Sequence, residues 1–359
     1  MKKRSLVKLF CGVVAFVTLS AAKADTPPPE KRYPWDMRPP KCLAPGVPAG
    51  MWMCKAPENW STFQESVNHV TNLFVGSDFD LVERAEKEIG FSKEKFTTGE
   101  YLFEAWYLGM RQIIGGAPGE KIATNWRASK GDAGFAVFAE ALARYGQARE
   151  ARGTGSASSV APEGWDIFHQ KLDEAASALA RASPKVKQSG AWQILNMHLV
   201  YENPRLASKR LSALNAAAKL WPDSVLIYSV AMYQALPVWG GSYELTDQMA
   251  RFAAEKSSKS LGKAMYALLY EQVVSGARVR LPETRANWSE IKEGFRDVEK
   301  HHYGQPLIWK SFASMACQMR DKDEAQRLYA LYDKLKSASD LTSDDVDACR
   351  KFATNRTST

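Results

Sequence analysis

Catalytic and metal-binding patterns are scarce in this chain of 359 residues. It contains only five histidines and five cysteines, and they form no H-x-x-H or C-x-x-C spacing, which argues against a zinc site. The chain has no H-E-x-x-H or G-x-S-x-G motif, and the glycine-rich stretch 115–121 lacks the Gly-Lys-Ser/Thr ending of a phosphate loop. We therefore predict no catalytic residue, no metal and no cofactor.

Long apolar runs are also rare, and the one that is present lies near the start of the chain, at residues 6–22. It follows the basic residues Lys2, Lys3 and Arg4 and ends at an Ala22-Lys23-Ala24 step. That order is typical of a secretory signal peptide. We predict that residues 1–24 are cleaved after Ala24, that the protein is periplasmic or secreted, and that the mature chain has no membrane span.

Excess charge of one sign is small once the leader is set aside. The full chain carries a formal net charge of +8, and the leader contributes five basic residues and no acid, which leaves +3. A nucleic-acid-binding domain needs a clustered basic face and a strongly basic pI. We therefore predict no nucleic-acid partner.

Four cysteines remain after the predicted cleavage: Cys42, Cys54, Cys317 and Cys349. An even number fits an oxidising compartment, and four cysteines allow three pairings. We favour Cys42–Cys54 and Cys317–Cys349, because each pair is close in sequence and would join one local element.

The composition changes sharply near residue 58. Residues 25–58 hold nine of the seventeen prolines, which disfavours both helix and sheet. We predict an extended arm with a short disulfide loop there, in which Trp35, Trp52 and Met53 could dock against the rest of the protein. Residues 59–355 form the second predicted region, a helical repeat-like domain.

Apolar residues in that domain recur every three or four positions, as in Phe63, Val67, Val70 and Phe74. Sustained two-residue alternation is absent, so we predict an all-α fold. One segment has the large and small residues of a tetratricopeptide hairpin at the right spacing: Trp309, Phe312, Ala313, Ala325 and Tyr329. This favours a tetratricopeptide-like array, an α-solenoid. An irregular helical bundle, above all in the N-terminal half, is the alternative.

Several short strings in the middle of the chain resemble a bacterial domain-of-unknown-function family, number 4034. They are Trp126-Arg127-Ala128-Ser129, residues 148–155, Trp165 with Phe168 and Leu172, residues 237–242, and residues 262–267. The resemblance covers roughly residues 70–275. It implies a helical, tetratricopeptide-like fold, and the family is uncharacterised, so it implies no activity.

Arg149 and Arg152 are the first candidate binding residues, because they precede the turn Gly153-Thr154-Gly155 at a helix end. Two guanidinium groups in that place could hold a carboxylate or a phosphate in forked hydrogen bonds. The alternative is structural: basic residues in a last turn cap carbonyl groups and complement the helix dipole.

A second candidate is the string Trp239-Gly240-Gly241-Ser242-Tyr243. Its glycines allow close approach, so Trp239 and Tyr243 could form an aromatic shelf for a peptide or sugar. The alternative is a helix-to-helix corner in which Trp239 is buried and Ser242 caps the next helix. Trp126, from the strings above, completes the candidate residues.

We therefore expect an exported, non-catalytic helical-repeat protein that binds a protein or peptide partner in the cell envelope. The first alternative is an envelope hydrolase that acts on peptidoglycan or peptides, which would need two carboxylates converging in a cleft. The second is a structural subunit that assembles with copies of itself.

Overall fold

The structure is a computed structural model that describes residues 63–96, 98–132, 134–301, 306–335 and 348–354. The predicted signal peptide, the proline-rich arm and the Cys42–Cys54 bond lie outside these residues. Within them all regular secondary structure is helical, and the β pairing is limited to one isolated bridge between Lys95 and Tyr101. The prediction of an all-α fold is confirmed.

Sixteen α-helices make up the described part of the chain. They are α1 Phe63–Gly76, α2 Phe79–Ala85, α3 Leu102–Ile114, α4 Gly119–Lys130, α5 Ala136–Arg152, α6 Pro162–Ala180, α7 Pro184–Lys187, α8 Gly190–Glu202, α9 Arg210–Leu220, α10 Val225–Gln234, α11 Tyr243–Leu261, α12 Ala264–Gly276, α13 Trp288–Lys300, α14 Pro306–Gln318, α15 Lys322–Leu335 and α16 Ala348–Thr354.

Polar side chains fix where several of these helices begin. The hydroxyl of Ser189 accepts a hydrogen bond from the Trp192 backbone at the start of α8, and Ser224 and Ser242 do the same for α10 and α11. Each satisfies one of the amide groups that have no partner in the first turn. The predicted capping role of Ser242 is confirmed.

The helices form two layers. Helices α3, α5, α8, α10, α12 and α14 contact one another in succession, and α4, α6, α9, α11, α13 and α15 pack against them as hairpin partners. The α5–α6 pair is antiparallel: Glu140 near the start of α5 pairs with Arg181 just after α6, and Gly164 at the start of α6 lies near the Ala151 carbonyl. The fold is therefore built from packed helix pairs, which fits both a helical array and a helical bundle.

The α14–α15 hairpin carries the residues that the tetratricopeptide spacing predicted. Trp309, Phe312 and Ala313 on α14 are buried, as are Ala325 and Tyr329 on α15. Small residues permit the close approach elsewhere too: a Cβ atom on Gly294 of α13 would lie 2.7 Å from the Cβ of Ala267 on α12. Helix pairs therefore pack through large side chains beside small ones.

A disulfide joins Cys317 near the end of α14 to Cys349 in α16, with the two Cα atoms 5.7 Å apart. This confirms the second of the predicted cysteine pairs. The bond fastens a helix of only seven residues, which contacts α14 and α15 and buries Ala353 between them. Such a short helix is unstable without tertiary contacts.

Replacing both Cys317 and Cys349 by serine is expected to release α16. Amide hydrogen exchange in residues 348–354 should become about tenfold faster or more, since the helix then depends on noncovalent contacts alone. Exchange in α5 should stay unchanged and serves as the control. Equal protection of α16 in the variant and the parent would contradict this role of the bond.

Candidate functional site

Two of the predicted binding residues, Arg152 and Trp239, meet in space. Arg152, the last residue of α5, has its guanidinium group 5.1 Å from the ring centre of Trp239 and 5.9 Å from that of Trp165 on α6. Its Nη1 donates to the carbonyl groups of Gly153 and Gly155, so the predicted capping role is present as well. Arg152 is only 6 % exposed, and no described carboxylate pairs with it.

A cluster of polar side chains adjoins Arg152 where α5 and α8 run side by side. The hydroxyl of Tyr145 donates to Glu202 Oε1 at 2.9 Å, and His198 Nδ1 lies 3.1 Å from the same oxygen. Arg149 Nη1 lies 3.4 Å from Glu202 Oε2. The Glu202 carboxylate therefore contacts three side chains: Tyr145, His198 and Arg149.

Helix α3 adds a further arginine and a tyrosine. Arg111 is exposed and, among the residues described, has no carboxylate within ion-pair distance. One turn earlier, the Tyr107 hydroxyl is buried and has no hydrogen-bond partner in the part of the chain that the structure describes. Burial raises the pKa of Tyr107 to about 12, so this group keeps its proton at neutral pH.

These residues together are called the basic surface below. Its members are Tyr107, Arg111, Tyr145, Arg149, Arg152, Trp165, His198, Glu202, Val238 and Trp239. Among the residues described, this surface contains three arginines and one carboxylate, which leaves an excess of positive charge. Val238 is 74 % exposed and Trp239 is 42 % exposed, so apolar surface lies next to the guanidinium groups.

The ionisation of the cluster follows from burial and from these contacts. Burial raises the pKa of Glu202, but hydrogen bonds and charges from His198, and the charge of Arg149, outweigh it and hold the pKa below its ordinary value. Burial lowers the pKa of His198, and Glu202 opposes that shift without overcoming it. Burial and the like charge of Arg149 lower the pKa of Arg152. At neutral pH the carboxylate is therefore ionised and His198 is neutral.

His198 is expected to titrate below the ordinary histidine value of about 6.5 in a proton NMR titration. Glu202→Gln should move the midpoint further down, because it removes the negative charge that favours the imidazolium. Glu163→Gln, a change at an exposed site at the start of α6, is the matched control and should leave the midpoint in place. An upward shift in the Glu202 variant would contradict the assigned contact.

Protonation of His198 is also coupled to stability. Because its pKa is lowered in the folded state, the unfolded chain binds more protons as the pH falls below about 6.5, and this lowers the free energy of unfolding. The lowered pKa of Glu202 acts in the same direction at more acidic pH. Both groups predict a protein that loses stability on acidification.

Trp126 does not belong to the basic surface, and this corrects the sequence prediction. It is 1 % exposed and packs between Phe74 of α1 and Phe79 of α2, with ring centres 5.3 and 6.2 Å away. Trp126 lies on the side of α4 that packs against α1 and α2, so it is buried in the core. Its ring therefore has no accessible face for a partner.

The string around Trp239 forms a helix-to-helix corner. Gly240 has a φ of +85°, and a Cβ atom on Gly241 would lie 2.0 Å from the Ala235 carbonyl oxygen, so both positions favour glycine. The alternative in which Trp239 is buried in this corner is wrong, since its side chain is 42 % exposed and lies against the Arg152 guanidinium group. Tyr243 begins α11 and is half-buried, and no ring contact links it to Trp239 in the residues described.

A separate groove of about 330 Å³ opens among α1, α3, α10, α12 and α14. Its apolar wall includes Phe63, Leu226 and Leu307, and Glu100, Glu104 and Glu271 supply carboxylates. Ser224 donates to Glu104 Oε1 at 2.5 Å, and the Tyr101 amide donates to Oε2 at 3.2 Å. Burial raises the pKa of Glu104 to about 7.

Within the ranges described, no group of three or more histidine, cysteine or acidic side chains could hold a metal ion. None of the described helices combines the length and the apolar character that a membrane crossing needs. No family model, no curated protein and no solved structure matches this chain. The resemblance to the uncharacterised family therefore stays a prediction.

Proposed function

We propose that this chain is an exported, non-catalytic helical-repeat protein that binds a protein or peptide partner in the cell envelope. The basic surface is the proposed binding site. The observation that carries the proposal is the charge imbalance there: in the described part of the chain, Arg149 pairs with Glu202, and Arg111 and Arg152 interact with the same carboxylate only through charge. An anionic group of the partner would neutralise the excess positive charge. The exposed ring of Trp239 would contact an apolar side chain next to that anionic group.

The three arginines would contribute differently. Arg152 is fixed by two carbonyl groups and two indole rings, so little side-chain entropy is lost when it binds. Arg149 lies 3.4 Å from Glu202, a long contact that leaves its guanidinium fork able to turn to a new acceptor. Arg111 is exposed and could approach the same anion from α3. Arginine suits this role because its planar fork matches a carboxylate.

Export from the cytosol is part of the proposal, and two observations support it. The leader sequence of residues 1–24 has the composition of a signal peptide. The Cys317–Cys349 disulfide is a bond that persists in oxidising compartments and is rare in the cytosol. Membership of the uncharacterised helical family is a further proposal, based on the strings quoted above.

Hydrolysis is the alternative function that the sequence leaves open. It would need two available carboxylates, and the groove among α1, α3, α10, α12 and α14 is a place to look for them. Glu104 and Glu271 both line that groove, but contacts within the fold already engage their oxygens. Glu104 accepts from Ser224 and Tyr101 as part of a helix cap, and Glu271 accepts from Ser275 at 2.8 Å and Gln272 at 2.9 Å. Structural roles account for both carboxylates, so we favour binding.

Selection of peptides from a random display library on the mature protein tests the proposal. We expect enriched peptides that combine an acidic group with an aromatic or apolar residue. The double variant Arg111→Gln, Arg149→Gln should bind such a peptide at least about tenfold more weakly, since both guanidinium forks are lost. Both positions are exposed, so the fold should be retained.

Arg205→Gln is the matched control for this measurement, because Arg205 is exposed and pairs with Asp173 of α6, outside the basic surface. It should leave peptide affinity unchanged. Equal loss of affinity in the control and the double variant would show a general charge effect and would contradict a localised site. Enrichment of basic or uncharged peptides would also contradict it.

A further inference from the structure

The two ring nitrogens of His198, a member of the basic surface, have different surroundings. Nδ1 lies 3.1 Å from Glu202 Oε1 and 3.2 Å from the Tyr145 hydroxyl oxygen. Because an ionised carboxylate accepts hydrogen bonds and cannot donate them, the neutral ring carries its proton on Nδ1. Nε2 then presents a lone pair, and it has no hydrogen-bond partner among the residues that the structure describes. A neutral His198 therefore offers an acceptor, which disfavours an anion beside it.

A second proton on His198 changes both the hydrogen bonding and the charge of the basic surface. Both nitrogens of an imidazolium ion are donors, so Nε2 changes from acceptor to donor. Three arginines and the Glu202 carboxylate leave two positive charges, and the imidazolium raises the excess to three. Nδ1 donates to Glu202 in both forms, so this contact is kept. Protonation therefore adds a cation and a donor without breaking a contact within the fold.

The titratable and charged groups around His198 come from α3, α5 and α8 itself: Tyr107, Arg111, Tyr145, Arg149 and Glu202. Burial raises the pKa of both tyrosines, so they stay neutral, and the pKa of Glu202 is lowered. Charged groups on other helices packed against α8 have contacts elsewhere. Asp173 of α6 pairs with Arg205, and Lys185 of α7 lies over an aromatic ring. Arg210 of α9 donates to backbone carbonyl groups of α8, and the sequence of α10 contains no charged residue. His198 is therefore the member of this surface whose charge changes in mild acid.

We propose that His198 is a further binding residue of the basic surface that acts in its protonated form, so that an anionic partner binds more tightly in mild acid than at neutral pH. The Nε2 donor then adds to the guanidinium forks of Arg111 and Arg149, both of which lie close enough to influence the charge of His198. Because this binding takes place at the basic surface, it rests on the proposed function. Linkage requires the reciprocal effect: a bound anion must raise the pKa of His198 by the same free energy.

Naphthalene-2-sulfonate is a suitable probe, because its sulfonate stays ionised in mild acid and its rings can stack on the exposed Trp239. Its affinity for the mature protein is measured by NMR titration of the Trp239 indole N–H signal. The affinity should be about fivefold higher at about pH 5 than at about pH 7.5. His198→Gln should remove this difference, since glutamine does not ionise. His301→Gln, in a residue that follows α13 outside the basic surface, is the matched control and should keep it.

The titration midpoint of His198 in the parent protein gives a second readout that needs no variant. Saturating probe should raise that midpoint by about 0.7 pH unit, which corresponds to the fivefold change in affinity. An unchanged midpoint, equal affinity at both pH values, or a pH effect that persists in His198→Gln would overturn the role of His198. The proposed function stands in those cases if Arg111→Gln with Arg149→Gln still weakens binding. Equal binding by that double variant and the parent, or no binding at either pH, would overturn both.

Discussion

Trp126→Ala is expected to lower the free energy of unfolding by about 4 kcal/mol. The side chain is 1 % exposed and stands between the rings of Phe74 and Phe79, so its removal leaves a cavity at the junction of α1, α2 and α4. Rigid neighbouring helices can fill such a space only in part, which adds a cavity cost to the lost burial. Urea unfolding followed by circular dichroism measures the change.

Trp239→Ala is the matched control, because the residue type is the same and the exposure differs. Its ring is 42 % exposed and contacts mainly the Arg152 guanidinium, so the loss of stability should be below about 1 kcal/mol. Peptide binding should show the opposite order from stability. The Trp239 variant should bind the peptide more weakly, and the folded Trp126 variant should bind it as the parent protein does. A Trp126 variant that stays stable but binds weakly would contradict both assignments.

Glu104→Gln is expected to stabilise the protein by about 3 kcal/mol at pH 8 and to have little effect at pH 4. Burial raises the pKa of Glu104 to about 7, so the folded protein retains this proton while the unfolded chain loses it. The native carboxyl therefore costs stability as the pH rises through the ordinary glutamate value towards 7, and the full cost is present above it. Glutamine keeps the hydrogen-bond acceptor for the Tyr101 amide and carries no charge.

Unfolding free energies of the two proteins measured from pH 4 to pH 8 test this directly. The difference between them should grow with pH and level off above about pH 7. Glu163→Gln, at an exposed site, should follow the parent protein throughout. A Glu104 variant that is less stable than the parent at pH 8 would mean that the ionised carboxylate stabilises the fold, contrary to this account.

Much of the fold was predictable because helix pairing is a local property. Spacing by three and four residues predicted the helices, and the large and small residues on α14 and α15 predicted their hairpin. Cys317 and Cys349 could be paired because they are close in sequence and join that hairpin to the segment after it. Each of these inferences needs only neighbouring elements.

The basic surface was only partly predictable because it depends on how distant pairs stack. Arg152 and Trp239 were both identified, yet their contact across 87 residues of sequence is fixed by the packing of α5, α8 and α10. His198 and Glu202 were missed as a pair, although a spacing of four on one helix was a usable signal. Tryptophan burial was not predictable either, because the exposure of Trp126 and Trp239 depends on which distant elements pack around them.

Photo-crosslinking in cells from the basic surface tests the central claim most directly. Benzoylphenylalanine in place of Val238, which is 74 % exposed beside Trp239, should capture a discrete protein of the cell envelope after irradiation. Arg111→Gln with Arg149→Gln in the same chain should reduce that product about tenfold, while Arg205→Gln should leave it unchanged. A product of equal yield in all three proteins, or the absence of any discrete product, would contradict binding through this surface.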